Sequence, residues 1–134
     1  MAHLEIAQDW LHIRLGMYEK VLTVHGSLTV NLTHIRKVDP HPKAPEAVDL
    51  VNFSGTYVPG RVVAGTETTR GDREIFYDVR ALDESIAIHL DHDHFERLVV
   101  QVDNGKPEDV AEWIESAARE ARARAKLPAA EARG

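Results

Sequence analysis

The sequence predicts an α+β protein, mostly β: about seven antiparallel strands capped by one C-terminal amphipathic helix. Three observations predict it. Apolar and polar residues alternate with period two through most of the chain up to Gln101. Turn-forming residues separate these runs at short intervals, as in a series of hairpins. The last apolar pattern, PEDVAEWIESAAREARARAK, has helical spacing instead.

The segments LEI and LHIRL put Leu4, Ile6, Leu11, Ile13 and Leu15 on one face. A two-residue loop at Gln8–Asp9 sets Ile6 opposite Leu11, Leu4 opposite Ile13 and Glu5 opposite His12, a cross-strand acid–imidazole pair. Met17, Val21 and Val24 then recur at helical spacing, and Gly26 suits a C-terminal cap, so a short helix is expected there. SLTVNLTHI alternates with Leu28, Val30 and Leu32 inward, and a further short strand follows over Ile35–Val38.

Residues 39–60 read as irregular. Prolines in DPHPKAP cannot donate to a ladder. Pro45 suits the first position of a helical turn, and FSGTYVPG reads as a loop closing on Pro59–Gly60. RVVAGTETTRGDREIFYDVR is a hairpin turning near Arg70–Gly71–Asp72, with two registers open: Thr66 against Tyr77, or Val63 against Val79. SIAIHL and ERLVVQV form another hairpin, with Ile88 opposite Leu98 and Ile86 opposite Val100. In the final helix Pro107 opens the first turn, acids lie near its start and arginines near its end. Its stripe of Val110, Ile114, Ala117 and Ala121, flanked by Trp113, must pack on the sheet. Residues 1–127 are expected to form one domain, with 128–134 a mobile tail.

Composition excludes several function classes. With no cysteine there is no disulfide, thiol nucleophile or zinc finger, which agrees with a cytoplasmic location. No segment has the length and apolarity of a membrane span, and the first residues lack the pattern of a secretory signal. The formal net charge of −6 argues against a nucleic-acid partner. Its four serines, Ser27, Ser54, Ser85 and Ser116, lie outside any nucleophile elbow, and no glycine-rich phosphate loop precedes a helix.

The densest candidate for chemistry is HLDHDHFER, three histidines and two aspartates within six positions. The hairpin register makes His92-Asp93-His94 the loop, with one residue at positive φ, and sets His89 opposite Arg97 on the outer face. A metal-dependent, hydrolytic activity would need His89, Asp91, His92 and His94 to converge on one ion with a supporting second shell. The simpler reading is a solvated turn, with no catalytic residue and no cofactor.

The strings GSLTVNLTHIRKV, VPGRVVAGT, REIFYDVR, AIHLDHDHFERLVVQVDN and PEDVAEWIESA, which together span nearly the whole chain, resemble small bacterial proteins of pleckstrin-homology-like (PH-like) fold. The resemblance implies that these strands curl into a bent antiparallel half-barrel with one end plugged by Val110, Trp113, Ile114 and Ala117. PH domains that bind phosphoinositides use basic residues in the loop between their first two strands; here that loop is Gln8–Asp9, short and acidic, which argues against such binding. The resemblance also implies a non-enzymatic module that recognises a protein or small ligand, or associates with itself. The expected surface is the loop 52–61 with Tyr57, Val58 and Arg61, together with the basic stretch carrying Arg36, Lys37 and Lys43.

Overall fold

A computed structural model of the chain describes residues 2–15, 27–42, 52–58, 62–69, 71–80 and 82–133, with backbone alone for 82 and 127–133. The helix expected over Met17–Val24, the turn at Pro45, Arg61 and Lys43 lie outside these residues. The fold is α+β and mostly β. Among the described residues nine strands form two sheets, closed by one long C-terminal helix, without a closed barrel.

The strands β1 (Ala2–Ala7), β2 (Trp10–Leu15) and β3 (Leu28–Asn31) form a three-stranded antiparallel sheet. Its first hairpin has the expected register, and Gln8 in the turn takes φ +56°. The side chains settle differently from the expected pair: Glu5 meets Arg14 at 3.1 Å, and the His12 ring faces the Thr29 hydroxyl at 3.3 Å. The run SLTVNLTHI is not one strand. Asn31 ends it by accepting the Thr33 amide at 2.9 Å, and a 3-10 turn over Leu32–His34 carries the chain into the second sheet.

That sheet comprises β4 (Ile35–Pro40), β5 (Phe53–Val58), β6 (Val62–Thr68), β7 (Glu74–Val79), β8 (Ser85–Leu90) and β9 (Phe95–Gln101), in the order β4-β8-β9-β7-β6-β5. Two expectations are corrected here. FSGTYV is a strand, not a loop, pairing with β6 so that Gly55 faces Gly65. The sheet is also not wholly antiparallel, because β7 and β9 run parallel. The reason is burial on both faces. Phe76 enters the main core while Ile75, Tyr77 and Val79 are buried on the opposite face, and Leu98 and Val99 divide in the same way. Such two-sided strands suit parallel pairing, whereas a period-two reading sees only one face. The β6–β7 hairpin takes the register with Val63 opposite Val79, and β8–β9 pairs as expected, with His89 opposite Arg97.

The main core lies between the three-stranded sheet, the inner face of the six-stranded sheet and α1 (Pro107–Arg133). The helix backbone continues to Arg133, beyond the boundary expected at Leu127. It buries Val110, Ala111, Ile114, Ala118 and Ala121. Trp113, expected in the plug, is 41% exposed, and Ala117 is only partly buried, so the helix is rotated from the orientation read off the sequence. Polar side chains of α1 also cap the edge strand β4. Glu115 accepts the Val38 amide at 3.0 Å, Arg122 donates to the Ile35 carbonyl, and Glu108 meets the His41 ring. That ion pair raises the His41 pKa and lowers that of Glu108. One carboxyl stays inside the sheet stack: Asp78, whose pKa burial raises.

A candidate binding cleft on the outer sheet face

Alternation along β4, β8, β9 and β7 decides which side chains share the outer face. Val38, Ile86, Ile88, Leu98, Val100 and Phe76 point into the main core. Their neighbours Asp39, Ala87, His89, Arg97, Val99 and Tyr77 therefore face the other way, where with Pro42 they line a cleft of about 150 Å³. Ala87 and Val99 are buried beneath it, giving an apolar floor beside four polar side chains.

His89 is the most constrained of these. Its Nε2 lies 2.9 Å from Asp39 Oδ2, which also has Lys37 Nζ at 3.6 Å. Burial lowers the His89 pKa, and the Lys37 and Arg97 cations act in the same direction against the Asp39 carboxylate. At neutral pH the ring is uncharged, so Nε2–H donates to Asp39 and Nδ1 is left as an acceptor. Arg97 supplies the opposite complement: among the described residues its Nε is buried with no hydrogen-bond partner. Burial also raises the Tyr77 pKa, as does Glu67, whose carboxylate accepts from the phenol at 3.5 Å. None of the lining residues is a serine, threonine, cysteine or lysine. The cleft thus offers a donor, an acceptor and an apolar floor.

A second cavity of about 200 Å³ adjoins the first, sharing His89 and Arg97 and adding Arg36, Arg73, Asp91 and Glu96. Arg73 explains why the histidine-rich turn is not a loose solvated tip. Its guanidinium donates to the carbonyls of Leu90 at 3.0 Å, Phe95 at 3.1 Å and Asp93 at 3.2 Å. Asp93 also meets the His34 ring at 3.2 Å and accepts the Phe95 amide, while the Asp91 amide donates to the His34 carbonyl. Arg73→Ala is expected to lower unfolding stability by about 2–3 kcal/mol, because three backbone carbonyls lose a charged donor together. Urea unfolding checks it; a loss below about 0.5 kcal/mol would mean that water replaces the clamp at no cost.

The metal-reading residues are distributed rather than gathered. His89 faces Asp39, His94 lies 2.5 Å from Glu74, Asp91 is 4.0 Å from Arg36, and exposed His92 takes φ +57°. Among the described residues no three histidine, aspartate or glutamate side chains are placed to hold one ion. Tyr57 is half-buried, Val58 is 42% exposed, and both sit on β5; Arg36 and Lys37 sit on β4, at the opposite edge of the sheet. Tyr57 nevertheless belongs to the outer face. Its ring packs edge-on against Phe53 at 6.3 Å, and Phe53 lies 6.5 Å from Tyr77 at the cleft. Reading the sequence missed Asp39 and Tyr77, whose signal was alternation about Val38 and Phe76, and it placed Arg97 only as the residue opposite His89.

No family model, curated protein or solved structure matches the chain. Among the described residues no helix is long and apolar enough to cross a membrane.

Proposed function

We propose that this is a non-enzymatic binding domain that recognises a ligand bearing a carboxylate or similar small anionic group on the outer face of its six-stranded sheet. The observation that carries the reading is the Arg97 Nε, buried and without a partner beside an apolar floor. An unmatched buried donor costs free energy, and a ligand oxygen there recovers it. His89 Nδ1 accepts from a ligand N–H or O–H, and the aromatic row Tyr57–Phe53–Tyr77 extends the apolar surface. Of the PH-like resemblance, the helix-capped β core agrees with the proposal and the parallel β7–β9 pair departs from it. Phosphoinositide binding at the first loop has no support, because that loop offers Gln8 and the acidic Asp9 and no basic residue of its own.

The test is a titration of the labelled protein with small mono- and dicarboxylates at constant ionic strength, followed by amide NMR. Shifts should concentrate at Ala87, His89, Arg97 and Val99. Arg97→Gln should weaken binding roughly tenfold, the scale of one charged hydrogen bond. Uniform small shifts, or equal binding by the variant, would remove the proposal.

A further inference from the structure

A separate cavity of about 200 Å³ lies where α1 crosses the edge of β4, lined by Ile35, Arg36, Glu115, Ala118, Arg119 and Arg122. Positions 115, 118, 119 and 122 are spaced to share one helix face, and Arg36 reaches the cavity from the strand. Three arginines against one glutamate leave a local charge of +2 (3 − 1) in a chain of net charge −6. Glu115 is held to the strand as well, its Oε2 accepting the Val38 amide at 3.0 Å.

The arginines are held but not used up. Arg122 spends one Nη1 hydrogen on the Ile35 carbonyl, which fixes its fork against the strand. Arg119 donates through Nη2 to Ser116 Oγ at 3.2 Å. The nearest carboxylate to Arg36 belongs to Asp91, at 4.0 Å with both side chains more than half exposed, a pair that water screens. Each guanidinium carries five N–H donors, so most remain available to a ligand. Ala118 leaves the floor open, and the volume exceeds several water molecules at about 30 Å³ each.

We propose that this junction binds a phosphate monoester dianion. Its charge matches the +2 of the lining, and its terminal oxygens can take paired donors from several guanidiniums, a geometry arginine forms better than lysine. A single carboxylate carries half that charge. The site shares no residue with the cleft around His89, although Arg36 also lines the cavity adjoining that cleft.

Thermal unfolding with inorganic phosphate at pH 7.5, against sodium chloride at equal ionic strength, tests the proposal. Phosphate should raise Tm by about 3 °C or more at concentrations well above Kd. The rise should fall by at least half in Arg119→Gln and in Arg36→Gln, neither of which holds a backbone carbonyl in place. With a phosphoserine peptide as ligand the rise should also shrink below about pH 6, where the monoester dianion takes up a proton. A phosphoserine tripeptide run in parallel separates recognition of the free ion from that of a peptide-borne group; a rise with either supports the site. An equal rise with chloride, or one undiminished in both variants, overturns it. So does a rise lost in Arg97→Gln but kept in Arg119→Gln, which would place the anion in the outer-face cleft.

Discussion

Gly65→Ala is expected to destabilise the protein by about 3–5 kcal/mol, a large part of the stability of a domain this size. A Cβ at Gly65 would sit 2.2 Å from the Ser54 carbonyl oxygen and 2.8 Å from the Gly55 Cα, both backbone atoms of the paired strand. Neither can swing aside as a side chain end would. The backbone there has φ +154°, a region that alanine adopts only with strain. The facing Gly55, at φ +140°, meets the same obstacle from the Ala64 carbonyl at 2.3 Å. The Phe53 ring occupies the space that the missing side chain leaves, its Cζ 3.0 Å from where that Cβ would sit. Chemical unfolding measures the loss. A Gly65→Ala protein within 1 kcal/mol of wild type would mean that β5 does not pair with β6 this closely.

Ile114→Ala is expected to cost about 3–4 kcal/mol, and Trp113→Ala less than 1 kcal/mol. Ile114 has no exposed surface and sits with Val110, Ala118 and Ala121 on the face that packs toward the sheets. Truncating it leaves a cavity that the rigid sheet cannot collapse to fill. Trp113 is the larger residue, and a reading based on hydrophobicity alone ranks it first. It is 41% exposed, so its removal empties little core. Paired unfolding curves for the two variants check the orientation of α1. The reverse order would rotate the helix back to the stripe expected from sequence.

Much of the fold was legible because short-range geometry carried it. The two-residue turn at Gln8–Asp9 and the pairing of Ile88 with Leu98 follow from burying alternate residues on one side. Positive φ at His92 follows from the length of its loop. β5 was missed because two glycines and a nearby Pro-Gly carry turn chemistry, and only the close approach to β6 turns Gly55 into a strand residue. The clamp on the histidine-rich turn was equally invisible: Arg73 lies on a different hairpin, and nothing local assigns its three donors to Leu90, Asp93 and Phe95.

The candidate cleft shows the same division. Sequence placed His89 opposite Arg97, and that holds. It could not place Asp39 against His89, since β4 and β8 are far apart in the chain and their pairing shifts register between Ile35 and Lys37. By itself the sequence determined the β1–β2 and β8–β9 hairpins, the terminal helix and the mostly β character, because these depend on residue periodicity and turn length within single segments. Only the tertiary structure decided the parallel β7–β9 pair, the rotation of α1 and the three cavities with arginine in their lining. Each of these arises where distant segments compete to bury the same surface, and that competition is resolved by packing rather than by any local preference.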